Sequence, residues 1–283
     1  MSKGWNDLAE VENVSTLKQN LLLIDGNNLA YRWLRRNNHG TFSEDYDRTI
    51  SSLANSYNAI RVIVCFDFGK SYYRMELLDS YKGTREKPTD PEEVERYENF
   101  FGCLNTLPNN ISQESYKYRG VEADDLITFF AQNLADEYEH TWIVSSDKDI
   151  YQLVEDDVSI FNIYSRKEIT VDSLVEQFDL TPDEYRLARI ISGDKSDNII
   201  GIEGIGDKRS MDLAREYKTL DNLISALPIN KSSKFIQNLN NGIDTLRHNE
   251  QLVSLKDYHE AAIKAGKMGD EAWEELAQVA RNT

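Results

Sequence analysis

Cysteine is nearly absent: Cys65 and Cys103 are the two in 283 residues, and they form no CxxC pair. Nothing in that usage asks for an oxidising compartment, and Cys65, inside an apolar run, reads as a small core residue. Histidine is almost as scarce. His39, His140, His248 and His259 stand apart without the spacing of a ligand pair, which disfavours zinc. No hydrophobic run approaches membrane-spanning length, and the start, Met1-Ser-Lys-Gly-Trp-Asn-Asp-Leu, has no apolar signal region. The expectation is a soluble cytoplasmic protein with no membrane partner. Positive charge is also in deficit, 32 Lys and Arg against 49 Asp and Glu, for a net charge of −17. That balance argues against indiscriminate binding to polyanions but leaves local basic patches open. There is no glycine-rich loop ending in Lys-Ser or Lys-Thr, which disfavours a nucleoside triphosphatase. No internal repeat is present.

What is abundant is acid in particular places. A hydrophobic content of 40% argues for a sizeable core. Residues 1–20 read as a polar leader. Leu21-Leu-Leu-Ile-Asp25 is then an apolar run of strand length, followed by the turn signal Gly26-Asn27-Asn28 and a helical pattern from Leu29 to Trp33. A second strand, Arg61-Val-Ile-Val-Cys-Phe-Asp67, also ends on an acid, and a third, Trp142 to Val144, leads into Asp147 and Asp149. Short apolar strands separated by helical stretches indicate an α/β sheet of parallel strands buried on both faces. Ligands of such sheets bind outside the carboxyl ends of the strands.

Between the second and third strands, Arg119-Gly-Val-Glu122-Ala-Asp124-Asp125 places three carboxylates at the mouth of an apolar-faced helix. Acids in a first turn favour the positive end of the helix dipole, which accounts for one or two of them. On a helix Glu122 and Asp125 share a face. The dipole does not account for the other strands ending in acids as well. Crowded carboxylates repel and raise one another's pKa unless a cation sits among them. Hard oxygen donors with no Cys or His nearby suit Mg²⁺ or Mn²⁺. Pairs of such ions held by acids are the usual equipment for phosphodiester hydrolysis. A haloacid-dehalogenase-type phosphatase would want Asp-x-Asp after the first strand, but Gly26 and Asn27 follow Asp25.

Tyr72 to Glu98 is highly charged and broken by Pro88 and Pro91. It reads either as an exposed connector or, through Lys82 and Arg85 at helical spacing, as a phosphate clamp beside a metal site. Further on, Asp194 and Asp197 add two acids before Gly201-Ile-Glu-Gly204-Ile-Gly206-Asp-Lys208-Arg209. This GxxGxG follows no expected strand and lies between helical stretches, Leu187–Ile191 and Met211–Tyr217, so it reads as a glycine hairpin. Its amides, with the next helix's N-terminus and Lys208 and Arg209, suit a phosphate. Leu220–Leu227, Phe235–Leu239 and Ala272–Ala280 are amphipathic patterns expected to form a helical lobe.

Five motifs occur in order: Leu23-Ile-Asp25-Gly-Asn27, Tyr81-Lys82-Gly-Thr-Arg85, Gly120-Val-Glu122-Ala-Asp124-Asp125, Ser146-Asp147-Lys-Asp149 and Gly193-Asp194-Lys-Ser-Asp197-Asn198. Together they resemble the structure-specific 5′-nuclease family, which includes stand-alone phage flap endonucleases and the 5′-nuclease domain of bacterial DNA polymerase I. The resemblance implies a PIN-like α/β core over residues 1–180, with a helical arch at about 80–105. It implies a helix-hairpin-helix region over 181–283.

The metal-site acids implied by position are Asp25, Asp67, Glu122, Asp124 and Asp147 around one ion, with Asp149, Asp194 and Asp197 favouring a second. Asp125 is implied to act through water. Lys82 and Arg85 match the residues that steady the scissile phosphate, and Tyr81 is expected to stack on a base. Gly201, Gly204, Gly206, Lys208 and Arg209 match the element that grips duplex DNA, in this family often with K⁺. The implied activity is metal-assisted in-line hydrolysis of 5′-flaps, branched DNA and single-stranded 5′ ends in phage-type replication and repair, by a monomer. Two alternatives stand beside it. A PIN-type ribonuclease would be shorter and lack the glycine hairpin. A non-catalytic branched-DNA binder would have no need of the full acid set.

Overall fold

The computed structural model describes residues 19–35, 40–85 and 88–282. Nearly all of the expected polar leader, His39, and Lys87 of the basic stretch lie outside the described residues. A six-stranded sheet forms the centre, in the order β3-β2-β1-β4-β5-β6. Its strands are β1 (Asn20–Asp25), β2 (Ala59–Cys65), β3 (Glu114–Tyr116), β4 (Thr141–Val144), β5 (Val158–Asn162) and β6 (Lys167–Ile169). The first five pair in parallel and β6 closes one edge antiparallel to β5. The sheet is thus mainly parallel, as expected, with an antiparallel margin that the apolar-run reading does not anticipate.

Period-two alternation explains the layering. Leu21, Leu23, Ile63, Cys65 and Ile143 point to one buried cluster, while Leu22, Ile24, Val64 and Val144 point to another on the opposite face. The second cluster is closed by side chains of α2 (Phe42–Ser56) and α4 (Pro91–Thr106), after the short α1 (Gly26–Ala30). Phe42, Tyr46, Ile50, Phe100 and Leu104 are the buried side chains involved. The first is covered by α5 (Ala123–Leu134), beyond the short α3 (Tyr72–Leu77), and by the C-terminal helices. Pro91 at the first position of α4 and Asp90 accepting from the amides of Glu92 and Glu93 fix where that helix begins.

After β6, α6 (Val171–Phe178) and α7 (Pro182–Ser192) lead to a two-stranded ribbon, β7 (Gly193–Asp194) and β8 (Ile199–Ile200). The remaining helices are α8 (Asp207–Tyr217), α9 (Leu220–Ser225), α10 (Lys234–Asn240), α11 (Ile243–Val253), α12 (Leu255–Ala265) and α13 (Asp270–Arg281). The glycine hairpin therefore follows a strand after all, because β8 runs directly into Gly201. A two-residue strand has too little length to show in an apolar pattern. The ribbon folds back so tightly that a Cβ on Gly201 would lie 2.1 Å from the Ser192 carbonyl oxygen. Gly204 takes a left-handed φ of +82° at the hairpin's turn.

Gly201→Ala is therefore expected to lower stability by about 1–3 kcal/mol. Gly206→Ala should cost less, about 0.5–1 kcal/mol for a poorer helix N-cap, since nothing lies within 4 Å of a Cβ there. Thermal or urea unfolding of the two variants checks the contrast, and equal losses would contradict it.

Candidate active site

Asp25 is the last residue of β1 and caps α1, its Oδ1 accepting from the Asn28 amide at 2.9 Å and its Oδ2 from Ser145 Oγ at 3.0 Å. Two residues past β2, Asp67 is oriented by neighbours on both sides. Its amide donates to Asn27 Oδ1 at 3.2 Å, and its Oδ1 accepts from the Ala123 amide at 2.7 Å. That last contact satisfies an N-terminal amide of α5. Glu122, at the N-cap position of α5, makes no cap hydrogen bond and is extended, with φ −94° and ψ 152°. The dipole reading of these acids thus fails for Glu122: its carboxylate turns away from the helix and into the site.

Four groups meet on Glu122, the Ser71 amide among them, donating to Oε1 at 3.3 Å. Lys82 Nζ donates to Oε1 at 2.7 Å, Tyr81 Oη donates to Oε2 at 2.8 Å, and Arg74 Nη1 lies 3.4 Å from Oε2. Asp147 follows β4 and accepts the Asp149 amide at 2.9 Å. Asp149, Asp194 and Asp197 bring one carboxylate oxygen each within 4.8 Å of one another. Asp197 is tied to the Lys82 segment by Arg85 Nη2 at 2.8 Å and Tyr81 Oη at 3.1 Å.

The electrostatics follow from this crowding. Burial, with Asp67 and Asp147 nearby, pushes the Asp25 carboxyl up to about 8. Burial and Glu122 raise Asp67 to about 6, and burial together with Asp147 and Asp25 raises Asp124 well above the usual range. Asp149 is raised to about 6 by burial, the nearby Arg189 opposing the shift while Asp147 and Asp194 add to it. Burial also acts against ionised Glu122 and Asp194, but their cationic partners outweigh it. Lys82 and Arg74 hold Glu122 below its ordinary value, and Arg189 with Ser196 does the same for Asp194. A set of oxygen donors that resists ionisation until positive charge arrives fits a divalent cation.

Three expectations change. Tyr81 is 2% exposed, with its hydroxyl bound to Glu122 and Asp197, so its ring has no face free to stack on a base. Lys82 and Arg85 do not sit on a helix. The segment turns at Ser80, whose carbonyl accepts from Gly83 at 2.8 Å, and Lys82 adopts a left-handed φ of +51°. The turn aims Lys82 at Glu122.

Asp125 also has a different partner from the expected water. It is fully buried in a two-pronged pair with Arg74, with Nη1 to Oδ2 and Nη2 to Oδ1 both at 2.8 Å. Arg74 further donates from Nε to the Leu252 carbonyl at 3.1 Å. It thereby locks α3, α5 and α11 together beneath Glu122.

Sequence reasoning missed Arg74, which stands in Tyr72-Tyr-Arg-Met-Glu-Leu77 with no sign that it is buried. It also missed Arg189, whose guanidinium contacts Asp149 Oδ1 at 2.6 Å and also reaches Asp194 Oδ2. The only signal was its place five residues before Asp194. Among the described histidines, His140 lies tilted beside Trp142 and His259 packs by Phe129 and Trp273. Neither contacts the acids.

The hairpin lies apart from the acids but is connected to them. A cleft of about 660 Å³ is lined by Arg189, Asp194 and Lys195 together with Gly204, Gly206 and Asp207. Lys208 and Arg209 are exposed in the first turn of α8, with Arg209 lying over the Phe235 ring at 4.5 Å.

The raised acids set a pH dependence. A folded state that keeps protons which the unfolded chain releases loses stability as pH rises between the two pKa values. In EDTA, the thermal midpoint should therefore fall from about pH 5 to pH 8, the window set by ordinary carboxylates and by Asp25 at about 8. Asp25→Asn should flatten the fall, and added Mg²⁺ should raise the midpoint more at pH 8 than at pH 6. A profile identical in Asp25→Asn and wild type would contradict the assignment.

Two family models match in tandem. Residues 20–179 match the 5′-3′ exonuclease N-terminal resolvase-like domain, and residues 180–275 match the 5′-3′ exonuclease C-terminal SAM fold. The flap endonuclease of Escherichia phage T5 is 36% identical over 278 residues, 94% of each chain. A 5′-3′ exonuclease of Mycoplasmopsis pulmonis is 30% identical, covering 84% of this chain and 80% of that one. A crystal structure of the phage T5 flap endonuclease, a pseudo-enzyme–product complex with DNA and metal ions, superposes with a TM-score of 0.87. It is 34% identical and covers 93% of this chain and all of that one. The sheet edge crowded with carboxylates and the hairpin beside it are thus those of a member of the 5′-3′ exonuclease family, to which this chain belongs.

Proposed function

We propose that the chain is a divalent-metal-dependent, structure-specific 5′-nuclease that cuts DNA at 5′-flaps, branches and single-stranded 5′ ends during phage-type replication and repair. The observation that carries this reading is the convergence of Asp149, Asp194 and Asp197 within ligand distance of one another. They lie alongside Asp25, Asp67 and Asp124, which are reluctant to ionise without a cation. The phage T5 relative is a flap endonuclease, and its structure with DNA and metal ions supports the same use of the acids here.

Oxygen-only donors favour Mg²⁺ or Mn²⁺. Asp25, Asp67, Glu122, Asp124 and Asp147 would hold one ion, and Asp149, Asp194 and Asp197 another. When bound, the ions supply charge neutralisation for the attacking and leaving oxygens of an in-line displacement. The chain's own groups do the rest. Lys82 Nζ and the Arg85 guanidinium, already at the acids' edge, grip oxygens of the scissile phosphate. The Arg74–Asp125 pair and Tyr81 Oη keep Glu122 in place for that work.

Gly201, Gly204 and Gly206, with the N-terminus of α8, Lys208 and Arg209, hold the duplex backbone, together with K⁺ at the hairpin. The cleft from Gly204 to Asp194 carries the strand onward to the acids. The enzyme works as a monomer, in the cytoplasm of the phage host. No helix of the described residues is long and apolar enough to cross a membrane.

A labelled 5′-flap, a matched RNA, and Mg²⁺ against EDTA test the reading. Cleavage of the DNA flap alone, abolished by EDTA, is expected, and RNA cleavage at an equal rate would overturn it. Asp147→Asn should abolish cleavage while flap binding persists, since affinity comes from phosphate contacts elsewhere. Near wild-type cleavage by the folded variant would remove Asp147 from the metal site.

The two basic elements separate by kinetics. Lys82→Ala should lower the single-turnover rate by roughly 10²-fold or more, the scale of one positioned electrostatic donor. Its affinity for DNA should fall far less. Replacing Lys208 and Arg209 with Ala should instead weaken binding to every duplex-containing substrate and reduce the salt slope by about one unit for each phosphate no longer held. Reversed phenotypes would exchange the two roles.

A further inference from the structure

The acids at the sheet edge divide into two groups that differ in how their charge is balanced. In the first group Glu122 is paired, with Lys82 and Arg74, while among the described residues no Lys or Arg forms an ion pair with Asp25, Asp67, Asp124 or Asp147. In the Asp149, Asp194 and Asp197 group every carboxylate already has a cationic partner from the chain. Arg85 pairs with Asp197 at 2.8 Å, and Arg189 spans the other two. The Arg189 contacts are close and multiple. Its Nε and Nη2 reach Asp149 Oδ1 at 3.0 and 2.6 Å, and the same Nη2 also reaches Asp194 Oδ2.

We infer that Arg189 is a built-in counter-ion that sets the divalent-ion affinity of the Asp149, Asp194 and Asp197 group and keeps it weaker than the Asp25 group. The inference rests on the metal-dependent reading of the site. A guanidinium is permanently charged and shares its hydrogen bonds with the same oxygens a metal would use. It competes in two ways: by repelling the incoming ion and by holding Asp149 and Asp194 oxygens in hydrogen bonds. Its rigid planar fork bridges two carboxylates that would otherwise repel across the gap. The site therefore stays assembled without a metal, at the cost of affinity for one. Arg189 also lines the cleft that leads to the hairpin. It touches no reacting atom in this scheme and acts through the two aspartates, as a positioning residue.

The test is Mn²⁺ binding to the DNA-free protein at fixed pH, read from free-Mn²⁺ electron paramagnetic resonance and by calorimetry. Wild type should show a tighter and a weaker class of site. Arg189→Met should tighten the weaker class by roughly 10-fold or more, the scale of removing one unit charge a few ångströms away at the effective dielectric of a protein site. The tighter class should move little, and Arg189→Lys, which keeps the charge, should stay close to wild type. Adding Asp194→Asn to Arg189→Met should abolish the tightened class, which assigns it. Should Arg189→Met fail to fold by circular dichroism, Arg189→Gln removes the charge while keeping a hydrogen-bond donor, with tightening again expected. An unchanged or weakened class in a folded charge-removing variant would overturn the inference and make Arg189 an organiser of the ligands. Wild type that takes up no Mn²⁺ is a separate failure, of the metal-dependent reading itself.

Discussion

Carboxylates gathered at one edge of a parallel sheet repel one another, and the rest of this molecule is arranged around that repulsion. Burial and that repulsion raise the carboxyls of Asp25, Asp67 and Asp124 above their ordinary range. Glu122, Asp125, Asp149, Asp194 and Asp197 are met by cations drawn from the chain: Arg74 beneath Glu122 and Asp125, Lys82 and Arg85 over Glu122 and Asp197, and Arg189 between Asp149 and Asp194. Several of these cations also join separate pieces of the fold. Arg74 ties α3 to α5 and to the carbonyl of Leu252, and the Lys82 amide donates to the Asp197 carbonyl at 3.0 Å. Neutralising the acids and docking the helical lobe onto the sheet are thus one set of contacts.

The scaffold contributes rigidity where the chemistry needs it. Asp25 is fixed by a helix cap and a serine hydroxyl, and Asp67 by an asparagine and an amide of α5. Phe100, Tyr46 and Phe66 on one face and Phe129 and Phe130 on the other are fully buried behind those loops, so the backbone carrying the acids has little freedom to relax. Such preorganisation fixes the spacing of the acids before any ligand arrives.

Much of this is legible in the chain. The apolar runs ending at Asp25, before Asp67 and before Asp147 mark parallel strands and the edge where a ligand would bind, because buried parallel strands need continuous hydrophobicity. Three strands of the sheet escape such a reading, Val158–Asn162, Glu114–Tyr116 and Lys167–Ile169; the last two are short and polar, and only pairing with a neighbour makes them strands. Helices α11 and α12 escape it because their apolar positions are interleaved with charge. The acids show themselves by their spacing, but their partners do not. Whether Arg74 faces solvent or sits at 4% exposure under Glu122 depends on tertiary docking across 178 residues to Leu252, which local pattern does not carry. Tyr81 misleads for the same reason: a tyrosine beside a basic pair looks available, and only the fold reveals that Glu122 and Asp197 have taken its hydroxyl.

The central claim is that these acids form two adjoining cation sites on one sheet edge. Anomalous diffraction from Mn²⁺-soaked crystals tests it most directly. The account predicts one peak among Asp25, Asp67, Asp124 and Asp147 and a second, of lower occupancy at limiting Mn²⁺, among Asp149, Asp194 and Asp197. Peaks confined to other surface carboxylates, with both groups empty at saturating Mn²⁺, would contradict it.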